Sequence, residues 1–204
     1  MKRAERLSGT WTRVAVVIVV SFLSGMLTFF AQGLLPEAVN SFANSASGWT
    51  LVTVLVLAWA RVRTAFAAVL GAASFVLLTL GYSASAHMQG LFYDPTLFAA
   101  VGVLVGPFVG IATSWLRAES RWQAAAGTAL LSGIGLGEGA YGLTVVADTT
   151  SPVYWTLVAV MALGLLVAML FRRIHGVLVV LLAVVGTGAI AGAFVVAYSA
   201  LGGV

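Results

Sequence analysis

The sequence predicts an all-α, polytopic membrane protein: a bundle of seven transmembrane helices with the N-terminus in the cytoplasm and the C-terminus outside. Three observations carry this expectation. The 204-residue chain is 61% apolar and 8% charged, whereas a soluble domain carries roughly a quarter charged residues. The shortage of charge extends along the whole chain rather than flanking one anchor, and mean hydropathy is +1.09. All ten Lys and Arg fall into four groups that seven crossings place on one side of the bilayer.

The first 12 residues read as a cytoplasmic segment carrying Lys2, Arg3 and Arg6, with Arg13 at the start of the first span. The next apolar stretch is about twice the length of a signal peptide's apolar region. It reads as a retained first helix. Apolar spans fall at about 13–35, 46–60, 64–83, 96–116, 122–147, 153–171 and 176–201, in one integral membrane domain, 1–204. The remaining basic residues, Arg61 and Arg63, Arg117 and Arg121, and Arg172 and Arg173, then lie on the cytoplasmic side. The outer loops 36–48, 84–95 and 148–152 hold Glu37, Asp94 and Asp148 and no Lys or Arg. The basic balance therefore reports topology, and nucleic acid is not expected as a partner.

The second span is short. Between Gly48 and Arg61 lie twelve residues, WTLVTVLVLAWA, or about 18 Å of helix. The preceding LPEAVNSFANSASG fills the remainder: Pro36 suits a first helical position, and Leu35, Val39, Phe42 and Ala43 share a face. A short interfacial or re-entrant helix is expected near 36–44. In the fourth span Gly106-Pro107 predicts a kink. In the fifth, Gly133, Gly135, Gly137 and Gly139 alternate and cannot share one helical face, so a locally broken or closely packed helix is expected. Gly133-Gly137 and Gly188-Gly192 have the small-xxx-small spacing of close helix contacts.

Short segments recur. Trp49-Thr-Leu-Val52 returns as Trp155-Thr-Leu-Val158, and seventeen residues before each tryptophan stand Gln32-Gly33 and Glu138-Gly139. Gly81-Tyr82-Ser83-Ala84 is echoed by Ala197-Tyr198-Ser199-Ala200. Spans 1–3 and 5–7 then read as parallel repeats joined by span 4, a 3+1+3 arrangement, and parallel repeats around a binding site are a known transporter plan.

Glu138 lies deep in the outer half of span 5, with no Lys or Arg on its side of the bilayer. Such a carboxyl group is protonated, meets a cationic ligand or a proton path, or hydrogen-bonds to polar neighbours. Ionisable groups at this depth are costly and mark function by default. Gln32, Asn44, Trp49, Tyr82 and His87 are expected at similar depth or just above it. Together with Glu138 they form the candidate ligand-binding set, facing outward: Glu138 supplies charge or a proton, Gln32, Asn44 and Tyr82 hydrogen bonds, and Trp49 an aromatic wall.

Catalytic and metal-binding patterns are absent. There are no cysteines, no HExxH and no GxSxG, and His87 and His175 fall on opposite faces. The G-x-G-x-x-G at 137–142 is preceded by no strand and is not a dinucleotide fingerprint. No catalytic residue, metal or cofactor is expected.

The runs TFFAQGLLP (28–36), VNSFANSASGW (39–49), GY (81–82), GPFVG (106–110) and GEG (137–139) together resemble a family of small bacterial integral membrane proteins of unknown function. The resemblance covers about residues 20–145. It implies a Gln-Gly-x-Leu-Pro element at Gln32, Gly33 and Pro36, an Asn-Ser-x-x-x-Trp element at Asn44, Ser45 and Trp49, a Gly-Tyr at Gly81 and Tyr82, and a Glu-Gly at Glu138 and Gly139. It implies no activity.

The leading functional expectation is a multi-pass protein of a bacterial inner membrane with an outward-facing small-ligand site, acting as transporter, transporter subunit or sensor. An enzyme using Glu138 as a general acid on a lipidic or isoprenoid substrate is the alternative, with Asp148 or Asp94 as its second acid. A third reading is a structural subunit docking another membrane protein or a second copy. The lipid bilayer is the common partner of all three.

Overall fold

The computed structural model describes residues 2–201, with side chains from Thr10 to Ala200. The side chains of Lys2, Arg3 and Arg6 and the last residues before and including Val204 lie outside the described part. Seven α-helices run in order: α1 Lys2–Leu34, α2 Ala46–Ala60, α3 Thr64–Met88, α4 Thr96–Trp115, α5 Arg121–Thr144, α6 Pro152–Arg172 and α7 Val177–Leu201. A short 3-10 helix, Asn40–Asn44, precedes α2, and no strand occurs among the described residues.

Five helices are long and apolar enough to cross a membrane: α1 from Thr10, α3, α4, α6 and α7. The other two differ in instructive ways. With 15 residues, α2 is too short alone, as expected from its twelve-residue core, and the 3-10 helix stands where a short helix was expected over 36–44. With 24 residues, α5 is long enough, but 15 of them are buried. A helix surrounded by other helices needs no lipid-facing apolar surface and carries glycine and polar residues instead.

The chain divides into two compact units, one holding residues up to Gly33 with 49–114, the other 34–48 with 115–204. In the first unit α3 is the shared wall. Its Gly81 meets the backbone of Phe22 in α1, and Gly71 meets Gly106 in α4. A Cβ at Gly110 would lie 1.9 Å from the Ala67 carbonyl oxygen, so the α3–α4 approach requires glycine there. Hydroxyl groups tie three helices: Ser74 of α3 bonds Ser21 of α1 at 2.8 Å and Thr53 of α2 at 2.9 Å. Val17, Leu57, Ala60 and Leu70 form an apolar layer beside them. Pro107 stands inside α4, which continues through it to Trp115.

In the second unit α5 is central. Gly133 and Gly137 meet Ile190, Ala191 and Phe194 of α7, and Gly135 and Gly139 meet Ala162 and Ala159 of α6. The glycines do not break α5; they let two helices approach it from different sides. Of the two outcomes expected for this span, close packing occurs and unwinding does not. The propensity cost of glycine is about 1 kcal/mol per residue in an exposed helix, and here the contacts made where a Cβ would stand offset it. At the opposite end of this unit, Arg173 donates to the carbonyls of Leu116 and Ala118 at 2.8 and 3.0 Å. Arg173, one of the arginines expected to mark the cytoplasmic side, thus also holds a loop.

Candidate functional site

Helix α2 begins abruptly. Ser45, with extended backbone at φ −126 and ψ 150, separates it from the 3-10 helix and acts as its N-cap: Ser45 Oγ accepts the Gly48 N–H at 2.9 Å. A helix start leaves further N–H groups without intrahelical partners. Glu138 of α5 takes two of them. The Ala46 N–H donates to Oε1 at 2.7 Å and the Ser47 N–H to Oε2 at 2.6 Å. The first three amides of the helix are therefore satisfied by Glu138 and Ser45 together. Glu138 is 1% exposed, and its counter-group is the partial positive charge of a helix N-terminus rather than a lysine or arginine.

The surroundings complete the anchor. The Ser47 side chain lies beside the same carboxyl group. Tyr154 hydrogen-bonds Ser45 Oγ and sits edge-on to Phe42 and Trp155. Tyr198 of α7 lies within electrostatic range of Glu138 and packs against Tyr141 and Phe194 at 5.1 and 4.9 Å. The Trp155 indole covers Gly142, where a Cβ would lie 2.0 Å from the ring, and its Nε1 donates to Thr150 Oγ1 at 2.8 Å. Glu37, Asp148, Thr149, Thr150 and Ser151 line an open cleft of about 460 Å³ nearby.

The first unit holds a second polar and aromatic group. Gln32 of α1 donates through Nε2 to the Tyr82 hydroxyl of α3 at 3.2 Å. The Tyr82 ring is flanked by Phe29 at 5.5 Å, Trp49 at 6.3 Å and Tyr93 at 4.8 Å. All of these side chains are partly exposed. Burial, then the nearby Tyr82 and Asp94, push the Tyr93 phenol up to about 12. Asp94 caps α4, accepting the Thr96 N–H at 2.9 Å and its hydroxyl at 2.6 Å. Those two bonds hold its carboxyl below the usual range. His87, exposed, contacts Ser83 and faces Phe92 at 6.0 Å.

A model described as a family of unknown function (DUF6518) matches residues 4–203 of this sequence. The chain belongs to DUF6518. No curated protein and no solved structure matches it. The DUF6518 match runs through both compact units and all seven helices.

Of the six residues expected at a ligand site in this DUF6518 chain, the structure gathers Gln32, Trp49 and Tyr82 in the first unit. His87 is five residues beyond Tyr82 on α3. Asn44 is exposed at the end of the 3-10 helix, and Glu138 is buried, both in the second unit. Ser45 and Ser151 cap the helices that carry Trp49 and Trp155. Sequence reasoning missed Tyr93, Tyr154 and the amides of Ala46 and Ser47. The serine four residues before each tryptophan was the available signal for the caps. No group of three or more His, Cys, Asp or Glu that could hold a metal occurs among the described residues.

Proposed function

We propose that this protein crosses a bacterial cytoplasmic membrane seven times, cytoplasmic at the N-terminus and outside at the C-terminus, and carries a small-ligand site open to the outer side. It serves as a transporter, a transporter subunit or a sensor. The observation that supports the site is the meeting of Gln32, Trp49 and Tyr82 from three helices in one partly exposed cluster. Polar groups fixing orientation among aromatic walls are the usual make-up of small-molecule sites. Helix α5 counts as a crossing because its neighbours shield it, and α2 because the 3-10 helix completes its path. Interrupted membrane helices, whose free ends lie at the site, are a recurring feature of transporters. In this reading Glu138 contributes by holding the first turn of α2, the helix that goes on to carry Trp49.

The natural chain has no cysteine, which makes labelling direct. Single substitutions Gln32→Cys and Tyr82→Cys are expected to react with a membrane-impermeant maleimide from outside intact cells. Arg63→Cys is expected to react only after permeabilisation. Protection of Gln32→Cys and Tyr82→Cys from outside, with reaction of Arg63→Cys there, would overturn both topology and site.

A second reading, a subunit that docks another membrane helix, is favoured by Gly188 and Gly192 of α7, whose absent side chains face open space. Substituting both with isoleucine is expected to dissociate such a complex on a native gel.

A further inference from the structure

The aromatic cluster of the first unit has a chemistry more specific than "small ligand", and the ligand class it selects rests on the proposed outer site. We propose that Trp49, Tyr82 and Tyr93 bind a small alkylammonium cation, drawn in by the carboxylate of Asp94.

Four observations carry this. The rings meet Tyr82 at steep angles, 72° for Phe29, 65° for Tyr93 and 49° for Trp49. Rings inclined to one another turn more than one negative face toward the same side, and an onium group is attracted to such faces. Trp49, Tyr82 and Tyr93 are all partly exposed, so the cluster is not a dry core layer. Asp94 comes directly after Tyr93 in the chain and is exposed, so a carboxylate stands one residue from the cluster. Finally, the loop region 84–95 has no lysine or arginine to occupy the rings.

The alternatives fit less well. An anion would meet Asp94 and ring faces of the same sign. A hard metal ion needs several oxygen ligands, and no acid or histidine cluster of that kind exists among the described residues. A weakly hydrated organic cation sheds its water at least cost and uses what the cluster offers. Gln32, donating to the Tyr82 hydroxyl, fixes the ring that the others surround.

Titration calorimetry on the purified full chain in nanodiscs tests this with three probes: choline, its neutral isostere 3,3-dimethylbutanol, and acetate. Saturable choline binding is expected, about tenfold or more tighter than the neutral isostere, with none for acetate. Trp49→Leu and Tyr82→Leu are each expected to weaken it by about tenfold, and Trp49→Phe and Tyr82→Phe by about threefold or less. The phenylalanine variants keep a ring and control for folding. Asp94→Asn is expected to weaken binding and remove most of its salt dependence. Equal binding of the isostere, no choline binding, or choline binding unchanged in both leucine variants would each overturn the proposal. The outer site itself is judged separately, by the labelling of Gln32→Cys and Tyr82→Cys, which needs no ligand.

Discussion

Glu138 and Ser47 are joined by a hydrogen bond of 2.6 Å from the backbone N–H of the first turn of α2 to a carboxyl oxygen in α5. With the Ala46 N–H on the other oxygen at 2.7 Å, it explains why a carboxyl group stands in a run of glycines. A helix that begins where water is scarce leaves N–H groups that must be satisfied inside the protein. A two-oxygen acceptor does so for two of them at once.

Removing that acceptor should be costly. Glu138→Ala leaves two partly buried N–H groups without that acceptor, a loss on the order of 1–4 kcal/mol. Glu138→Gln keeps one acceptor oxygen but sets an amide N–H₂ against the other donor, and should fall between. Unfolding in a mixed detergent series checks the order; wild-type stability in Glu138→Ala would refute the capping role.

The three-way hydroxyl link in the first unit gives a second prediction. Ser74 bonds both Ser21 and Thr53 and is fully buried. Ser74→Ala is expected to cost about 1–2 kcal/mol, and Ser21→Ala less, since it leaves the Ser74–Thr53 bond in place. Equal losses in the same unfolding measurement would show that the link is not centred on Ser74.

Glycines in this chain should divide by what faces them. Gly110→Ala forces a Cβ to within 1.9 Å of the Ala67 carbonyl oxygen and is expected to cost about 1–3 kcal/mol through displaced backbone. Gly188→Ala meets open space and should be neutral or stabilising by up to about 1 kcal/mol. Parallel thermal melts of the two variants decide this.

Alkaline pH should weaken the first unit through Tyr93. Its phenol is pushed up to about 12 in the folded protein, above the ordinary value near 10. Its contribution is therefore complete below pH of about 10 and is lost as pH rises toward about 12. The fall in stability across that window should be shallower in Tyr93→Phe, measured by chemical unfolding at a series of pH values.

Much of this architecture was legible from the chain. Helix α2 runs over 46–60 as its hydropathy indicates, because the arginines of 61–63 and the polar stretch before Ser45 bound it sharply. Gln32, Trp49 and Tyr82 were legible as a group because spans expected to alternate in direction put them at the same ends of their helices. Three features were not. Span 5 was open to being read as broken, since glycine propensity is local while the contacts made by Gly133 and Gly139 are not. The partner of Glu138 was hidden because it is backbone, and a search for a counter-charge looks among side chains. Tyr93 sits in a loop, where no periodicity states which way the chain folds back.

The most direct test of the capping relationship is site-resolved amide hydrogen exchange of the protein in nanodiscs. The Ala46 and Ser47 amides should be as protected as amides inside α2, such as that of Val56, and should lose that protection in Glu138→Ala while Val56 keeps its own. Free exchange of Ala46 and Ser47 in the wild type, or unchanged protection in Glu138→Ala, would contradict the assignment of Glu138 as the acceptor that holds α2.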